Sequence, residues 1–421
     1  MKVIELNGDE ISFDRNLDNG TEQQRQAVVD IIADVRQRGD AAVLALTERF
    51  DGVRLDRLRV DETEIDAAYA ALDPSLIETI REAAAHIRDF HERQVRASWS
   101  MTKPDGSRLG QQITPLDAVG VYVPGGTAMY PSSVLMGVVP AKVAGVARVA
   151  VTTPPAASGA IAPAVLVAAR EAGADEVYKA GGAQAVAALA YGTDSIGKVD
   201  KIVGPGNIFV ALAKREVFGA VDIDSIAGPS EIAVIADDSA NPRWLAADLL
   251  SQAEHDTRAA AVLFTPSRAL AERVADEVAR QLEDLPRRDI AAQAIADNGA
   301  IYVVRDVAHA VACVNAFAPE HLEVVVEDAE AWLGEIRHAG AIFLGPYSTE
   351  PVGDYFAGPN HVLPTSGTAR FSSPLGVDDF VKKSSVIAYS ERAMRENGGK
   401  IAALARLEGL EAHARAVEMR N

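Results

Sequence analysis

Three segments of this 421-residue chain place an imidazole beside carboxyl or amide groups, which can bind metals or transfer protons. The first is SQAEHD at residues 251–256, which follows a helix that Asn241 and Pro242 are placed to start. Gln252 and His255 are three positions apart, so near a helix end they share a face. Their nitrogen and oxygen atoms could both bind one metal ion, but a polar helix end has the same composition.

The second segment is APEHLE at residues 318–323, where Glu320 and His321 stand side by side before an apolar run typical of a strand. A carboxyl group and an imidazole have different ordinary pKa values, so the pair can supply two distinct proton-transfer groups. A plain turn between a helix and a strand would have the same sequence, and the two interpretations stay open.

The third segment is GDYFAGPNHVLP at residues 353–364, in which glycines and prolines surround Asp354 and His361. A carboxylate and an imidazole on such constrained backbone indicate a site more often than a spacer. A further histidine, His413, lies in LEGLEAH near the C-terminus, where the local sequence indicates only a solvated helix.

Together, Gln252, His255, Asp354 and one further histidine would offer nitrogen and oxygen ligands without sulfur. That set suits a catalytic zinc ion and also other divalent ions, although spacing alone does not show that the residues meet. The one cysteine, Cys313, lies in an apolar stretch and is interpreted as a small core residue. The other four histidines are interpreted as structural. His86 and His91 lie in a charged, solvated helix, and His309 and His338 lie in helix-like stretches.

Two glycine turns follow apolar runs and could contact a dinucleotide. Gly204-Pro205-Gly206-Asn207 follows DKIV, and Gly125-Gly126 follows VYVP. Neither completes the dinucleotide fingerprint, because no glycine stands three positions after Gly206. Ligands gather at such turns along the carboxyl edge of a parallel sheet, but plain tight turns are an equal alternative.

The elements that must position these residues change along the chain. Roughly the first 100 residues read as helical, beginning with a capping box at Thr21 and Gln24. From residue 118, short apolar runs alternate with Ala-rich helical stretches in two series that meet near residue 230. The runs are AVGVYV, RVAVTT, DEVYKA and DKIVG, then SEIAVIAD, AAVLFTP, AIYVVRD, LEVVVED and AIFLG. Such alternation predicts two α/β modules with mostly parallel sheets, and the residues from Glu391 onward predict an amphipathic helical tail.

The bulk composition restricts the class of protein. Hydrophobic residues make up 48% and charged residues 24%, which is a soluble globular balance. The formal net charge of −19 repels phosphate backbones, so we expect no nucleic-acid partner. No apolar run approaches the ~20 residues of a membrane span, and the N-terminal sequence is not a secretory signal. We therefore expect a cytoplasmic protein with no membrane partner.

Seven segments together resemble the successive blocks of the histidinol dehydrogenase family, in that family's order. They are GVYVPGG, GGAQAVAALAYGT, VDKIVGPGN, AGPSEIAVIAD, LLSQAEHD, APEHLE and GDYFAGPNHVLPT. The similarity runs through nearly the whole chain and includes RGDAAVLALTERFD near the start. With this resemblance we predict two incomplete Rossmann-like modules, a helical N-terminal part and an extended helical C-terminal tail.

The resemblance implies one zinc ion per subunit, held by Gln252, His255, Asp354 and His413. It places His413 and Glu408 on a tail that reaches into the partner subunit's site, which implies a homodimer with composite active sites. The family's substrate contacts fall on Ser230, Gln252, His255, His321, Asp354, His361, Glu408 and His413. Its NAD contacts fall on Tyr122, Gln184 and Asn207.

The family's reaction is a four-electron oxidation of L-histidinol through L-histidinaldehyde to L-histidine. The resemblance implies that His321 takes the alcohol proton as hydride leaves to NAD. Glu320 then activates a water molecule that hydrates the aldehyde, and a second NAD takes the second hydride. These residues suit their roles, since an imidazole with a pKa near neutrality is a suitable base.

We expect four parts of the chain. Residues 1–20 form an N-terminal segment, and residues 21–114 with 231–375 form the α/β domain that carries most of the zinc site. Residues 115–230 form the second α/β domain with the NAD-contacting turns, and residues 376–421 form the tail.

Three other functions remain as alternatives. One is a paralogous zinc and NAD dehydrogenase of another small alcohol, for example a sulfonated diol. Another is a zinc hydrolase with Glu320 as base, and the third is a binding protein without catalysis. The adjacent Glu320 and His321 count against the last, because a binding protein needs no proton-transfer pair.

Overall fold

The structure, a computed structural model, describes residues 1–6, 8, 20–125 and 129–420. Its strands are β1 (Lys2–Glu5), β2 (Trp99–Thr102), β3 (Arg108–Pro115), β4 (Ala118–Tyr122), β5 (Arg148–Thr153), β6 (Glu176–Lys179), β7 (Lys201–Val203), β8 (Asp222–Ile223), β9 (Glu231–Ala236), β10 (Ala260–Thr265), β11 (Gly299–Val303), β12 (His321–Val325), β13 (Ala341–Leu344) and β14 (Val381–Ala388).

Its α-helices are α1 (Glu22–Arg38), α2 (Asp40–Asp51), α3 (Glu62–Ala71), α4 (Pro74–Glu92), α5 (Pro131–Ala144), α6 (Pro163–Ala172), α7 (Gly182–Tyr191), α8 (Ile208–Val217), α9 (Pro242–Ala253), α10 (Arg268–Leu282), α11 (Arg288–Asn298), α12 (Val307–Phe317), α13 (Glu350–Tyr355), α14 (Glu391–Leu407) and α15 (Glu411–Glu418). Short 3₁₀ turns span Glu330–Glu335, Thr368–Arg370 and Val377–Phe380.

Two parallel sheets confirm the predicted pair of α/β modules. The first sheet has the strand order β6-β5-β4-β7-β8, and the second has β1-β11-β10-β9-β12-β13. Counted within each module, and setting β1 aside, both orders read 3-2-1-4-5, which is the Rossmann order without its sixth strand. All nine predicted apolar runs form strands of these sheets, because strands covered by helices on both faces are continuously apolar.

The helices begin and end where their capping residues stand. Thr21 accepts from the Gln24 amide and Gln24 from the Thr21 amide, so the predicted capping box starts α1. Asn241 caps α9, with Pro242 at its first position, as predicted. None of the helices in the described ranges is both long enough and apolar enough to cross a membrane.

The N-terminal helices pack on the first parallel sheet. Val28 and Val43, from α1 and α2, share a core with Val186 of α7, and Ile87 of α4 shares another with Val121 of β4. The core of β9, β10 and β11 is built instead from α9, α10 and α11. We therefore propose that residues 22–92 be grouped with the first module and keep the other expected boundaries as a proposal.

A small antiparallel sheet, β14-β3-β2, lies outside both modules and was not predicted. It places the start of the C-terminal tail against residues 99–115, because β14 pairs with β3 along its full length. The tail then continues as α14 and α15, which pack on each other after a turn at Gly409, whose φ is 76°. The helical tail predicted from Glu391 is confirmed, with β14 before it.

Candidate active site

Glu320 and His321 lie at the amino end of β12, which pairs with β9 on one side and with the edge strand β13 on the other. His321 stands opposite Ile232 of β9 and Ala341 of β13. The chain reaches this position through Ala318, a residue with a left-handed φ of 52° that ends α12. This turn is rare for a residue with a side chain, and it directs the two neighbouring functional groups to the same edge of the sheet.

The backbone of Glu231 fixes both of these side chains. His321 Nδ1 lies 3.0 Å from the Glu231 carbonyl oxygen, and the Glu231 amide donates to Glu320 Oε2 over 2.9 Å. Since a carbonyl can only accept, Nδ1 of His321 carries the proton and Nε2 is the basic nitrogen. Nε2 lies 3.7 Å from Asp354 Oδ1, among the other polar groups of the site.

Opposing effects set the pKa of His321. Burial by itself lowers this pKa, but Glu320, with its Oε2 3.6 Å from Nδ1, and then Asp354 and Glu350 outweigh burial. Together they raise the pKa of His321 to about 9. The imidazole therefore holds a proton at neutral pH unless a cation offsets the surrounding carboxylates.

Asp354 is carried by the short helix α13, four residues after Glu350, so both carboxyl groups share one helix face. His321, Glu350 and Asp354 each offer one ligand atom, and these atoms lie within 4.8 Å of one another. Burial raises the pKa of Asp354, but the nearby imidazoles of His321, His361 and His255 outweigh burial and lower this pKa overall. An ionised carboxylate surrounded by imidazoles is a strong candidate for holding a divalent cation.

Gln252 lies in the last turn of α9 and its side chain is completely buried. Neither its amide oxygen nor its amide nitrogen has a hydrogen-bond partner among the described residues. Such burial is costly for an amide, so a partner outside the chain is expected. Ser251 Oγ donates to Glu350 Oε2 over 3.3 Å, which holds this end of α9 against α13.

Two further histidines border the same cluster. His255 lies just past α9 with part of its side chain exposed, and desolvation of its imidazole by the surrounding protein lowers its pKa, with Asp354 opposing that effect. Burial likewise lowers the pKa of His361, again against Asp354. Asn360 holds the His361 loop in place by donating to the Met136 carbonyl over 2.8 Å. Neutral imidazoles beside an ionised carboxylate fit the donor set of a zinc ion.

A cavity of about 1220 Å³ opens onto this cluster, and His321, Asp354 and His361 are part of its wall. Ser230 precedes β9 and accepts the Ala260 amide with its carbonyl, so it lies at the same edge of the sheet. Glu408 and His413 are exposed on the tail instead. In the described part of the single chain, neither side chain has a hydrogen bond or ion pair with the site.

Tyr122, Gln184 and Asn207 line one cavity of about 1170 Å³ at the carboxyl edge of the first sheet. Tyr122 ends β4 and accepts the Gly182 amide over 3.0 Å, and Asn207 caps α8. This is the position between β4 and β7 where the strand order reverses and where α/β folds bind ligands. Gly125 also lines the cavity, while Gly126 lies outside the described residues.

The turn after β7 has a conformation that only glycine tolerates. Gly204 has a φ of 111°, and a Cβ there would lie 2.1 Å from the Tyr122 carbonyl oxygen. A buried ion pair between Lys214 and Asp224 holds this turn, because Lys214 donates to the Gly204 carbonyl and Asp224 accepts the Gly204 amide. Its shape is therefore built into the fold rather than left to a flexible loop.

Sequence reasoning missed the buried carboxyl groups behind the site. The Glu350 amide donates to Glu323 Oε1 over 2.8 Å, and burial raises the pKa of both carboxyl groups. Glu231 Oε1 accepts the Ser366 amide over 3.0 Å. Two features of the sequence could have identified these groups. Glu231 and Glu323 are acidic residues within the apolar runs SEIAVIAD and LEVVVED, and Glu350 stands four positions before Asp354.

The interpretation of His91 as a solvated residue is wrong. Its side chain is completely buried, and Nδ1 lies 2.7 Å from the Ile87 carbonyl oxygen. The interpretation of Cys313 as a core residue is confirmed, since it is buried and burial raises the pKa of its thiol to about 11. A thiol with so high a pKa is a poor nucleophile at neutral pH.

The two sheets share the 3-2-1-4-5 order. One has a cavity at its switch point, and the other has a cluster of imidazole and carboxyl groups. Together these features define a two-module α/β enzyme of the Rossmann-like class. A model of the histidinol dehydrogenase family matches residues 15–421. The chain belongs to the histidinol dehydrogenase family and is a dehydrogenase, as its sequence segments predicted.

Individual relatives agree over the full length. Histidinol dehydrogenase of Halalkalibacterium halodurans is 64% identical over 420 residues, covering 100% of this chain and 99% of that protein. The Bacillus subtilis protein is 59% identical over 421 residues with the same coverage. The crystal structure of histidinol dehydrogenase from Elizabethkingia anophelis matches with a TM-score of 0.93 at 38% identity, covering 97% of this chain and 94% of that one. The alternatives of a paralogue, a hydrolase and a binding protein are not favoured.

Proposed function

We propose that this chain oxidises L-histidinol through L-histidinaldehyde to L-histidine, the last steps of histidine biosynthesis, with zinc and NAD. The main observation that supports a metal ion is the Gln252 amide, which is fully buried without a partner among the described residues. It lies at the end of α9 that packs against α13, the helix of Asp354. We assign Gln252, His255 and Asp354 to the zinc ion, together with His413 of the partner subunit. This set of nitrogen and oxygen ligands contains no sulfur and suits zinc, and substrate bound in addition would raise the coordination number above four.

The zinc ion held by these residues would supply Lewis-acid chemistry for binding the substrate, and NAD would supply the hydride acceptor. The chain's own residues move the protons. His321 takes the alcohol proton on Nε2, since Nδ1 donates to the Glu231 carbonyl. For this it must be neutral, and a cation at Asp354 would offset one of the carboxylates that raise the pKa of His321.

Glu320 serves the second half of the reaction in this proposal. Its Oε2 is held by the Glu231 amide, so the carboxylate is fixed beside His321 rather than mobile. From there it activates the water that hydrates the aldehyde. With a buried thiol of raised pKa at Cys313, a covalent route through cysteine is disfavoured, and activated water fits the available groups better.

The cofactor site is proposed at the cavity bordered by Tyr122, Gln184 and Asn207. The amino end of α7 faces this cavity through Gly182 and Gln184, and helix amino ends attract the phosphates of a dinucleotide. The remaining substrate contacts, namely Ser230, His361 and the partner's Glu408, stay as the resemblance assigned them.

The proposed homodimer accounts for the surface of the tail. Leu404, Leu407 and Met419 are 64%, 84% and 87% exposed on the single chain, an unusual amount of apolar surface for two helices. A partner subunit that covers α14 and α15 would bury these side chains and bring His413 and Glu408 to its own site. We propose the cytoplasm as the location of this assembly.

A spectrophotometric assay tests the proposed reaction. Two NADH should form per histidinol consumed, and activity should disappear with a chelator and return with zinc. One NADH per histidinol would indicate an ordinary alcohol dehydrogenase, and activity that resists complete metal removal would refute the zinc assignment.

The composite site has its own test in mixed dimers. His413→Ala and Glu320→Ala chains should each be inactive alone but should regain activity when mixed, because one hybrid site then holds both intact residues. No recovery despite proven subunit exchange would refute a shared site.

A further inference from the structure

Asp51 is a carboxylate in the NAD cavity to which neither the sequence motifs nor the proposed mechanism assigns a role. It is the last residue of α2 and lines the same cavity as Tyr122, Gln184 and Asn207. Its oxygen Oδ2 is shielded from solvent and has no hydrogen-bond partner among the described residues. The side chain is thus partly desolvated without the partners that usually offset the loss of water.

The position of Asp51 is unfavourable for stability. A negative charge at the carboxyl end of a helix faces the negative end of the helix dipole. Burial also raises the pKa of Asp51, which is the direction expected for a partly desolvated carboxylate. A carboxylate in such a place, with no cation paired to it in the described residues, indicates a ligand rather than a structural partner.

Asp51 lines the same cavity as Thr153, the last residue of β5, which is the second strand of the first module. In dinucleotide-binding folds an acidic residue after this strand binds the ribose hydroxyls of NAD. Here β5 is followed by Pro154 and Pro155, which carry no acid. Pro154, Pro155 and Asp51 line the same cavity. A Cβ on Gly159, which also follows β5, would lie 3.4 Å from side chains of the segment after α2, so the loop after β5 packs on that segment.

The other charged groups of the cavity wall have different surroundings. Asp34 is paired with Arg38, and Asp30 is exposed and accepts from Gln26 over 2.8 Å. The guanidinium of Arg49 lies over the Phe50 ring, 5.1 Å from its centre. Asp51 is therefore the carboxylate of this wall that best fits a buried hydrogen-bonding role.

We infer that Asp51 binds the adenosine ribose hydroxyls of NAD and thereby selects NAD over NADP. Its carboxylate accepts from the ribose diol and repels the 2′-phosphate of NADP. This inference rests on the proposed NAD-linked function and adds to it the residue that sets cofactor choice.

The test measures binding of NAD, NADP and the 2′-deoxyadenosine analogue of NAD by calorimetry, without turnover. Asp51→Asn should weaken NAD roughly 10- to 100-fold, as expected for loss of a hydrogen bond to a charged acceptor. NADP should not weaken, so the preference for NAD should shrink by at least the same factor. In the wild type the deoxy analogue should bind more weakly than NAD, and in Asp51→Asn this difference should largely disappear.

Asp30→Asn is the matched control, since it removes the same charge from the same wall at an exposed position. It should leave the preference for NAD within about twofold of the wild type. The inference is overturned if both variants change NAD and NADP affinity alike, or if the deoxy penalty is equal in wild type and Asp51→Asn. Failure of the wild type to bind NAD at all would instead refute the proposed cofactor itself.

Loss of folding is not expected to confuse this result. Asp51→Asn removes a negative charge from the carboxyl end of α2, so the helix should be at least as stable as before. Melting temperatures of both variants that are no lower than that of the wild type would establish that any loss of NAD affinity is local.

Discussion

Gly340 offers a way to displace the proposed catalytic pair without altering any polar group. A Cβ at this position would lie 2.5 Å from the Glu320 carbonyl oxygen and 3.2 Å from Pro364 Cδ. Gly340 also donates its amide to Pro319, and the next amide, of Ala341, donates to the Glu320 carbonyl over 2.9 Å. The two backbones are therefore in direct contact, and Gly340→Ala must push them apart.

The size of the displacement sets the expected effect. Ordinary contact begins near 3.4 Å, so the Glu320 carbonyl must move by about 0.9 Å, the difference from 2.5 Å. A misplacement of roughly 1 Å can reduce turnover on the order of 100-fold when the geometry of proton transfer is lost. Such overpacking also destabilises a core by about 1–3 kcal/mol, which this chain should tolerate without unfolding.

The assay is kcat for NADH formation with histidinol, together with zinc content and the melting temperature. Gly340→Ala should lower kcat about 100-fold while one zinc ion per subunit remains, because the atoms nearest the added Cβ belong to Glu320 and Pro364 and not to an assigned ligand. Gly334→Ala is the control, since a Cβ there meets nothing within 4 Å, and it should retain full activity. Equal kcat in the two variants, with both folded, would refute the placement of Glu320 and His321 at the reacting centre.

Three further predictions concern other residues. His321→Asn should lower kcat by a factor on the order of 10² to 10⁴, because the proton acceptor is lost. The variant should keep its zinc, because the Asn amide can still donate to the Glu231 carbonyl. Loss of zinc would contradict the role assigned to His321. Burial lowers the pKa of His91 below 6.5, so its stabilising effect is complete above pH 6.5 and is lost as the pH falls. The melting temperature of His91→Asn should therefore fall less than that of the wild type between pH 7.5 and 5.5, and an equal fall would be contrary evidence. Lys214→Met should lower the free energy of unfolding by about 3–5 kcal/mol, since it leaves Asp224 buried without its cation. Denaturant titration measures this change, and an unchanged midpoint would show that the ion pair is dispensable.

The parallel sheets could be predicted because their strands are buried on both faces. All six residues of β9 are buried, which requires the continuous apolar run seen in the sequence, and β5 is nearly the same. The antiparallel sheet could not be predicted in this way. All four residues of β2 are exposed, and β14 has no buried residue, so neither strand carries a hydrophobic pattern.

The site could be predicted only in part for a similar reason. Motifs identified Glu320, His321 and Asp354, but the groups that hold them act through backbone atoms, such as the Glu231 carbonyl and amide. Backbone atoms have no sequence signature. His91 was misjudged because charged residues surround it in sequence, whereas its position four residues after Ile87 turns it toward the core.

The tail marks the limit of reasoning from one chain. Nothing in the sequence around His413 distinguishes it from a solvated helix residue, and the single chain leaves it exposed. The role proposed for His413 depends on a second subunit. It therefore comes from the family resemblance and not from the geometry of the single chain.

Anomalous diffraction at the zinc absorption edge, from crystals of the zinc-loaded enzyme, tests the central claim most directly. We predict one peak per subunit, about 2.0–2.2 Å from atoms of Gln252, His255 and Asp354 of one chain and His413 of its partner. A peak bound elsewhere, or these four side chains too far apart to share one ion in any assembly of the crystal, would contradict it.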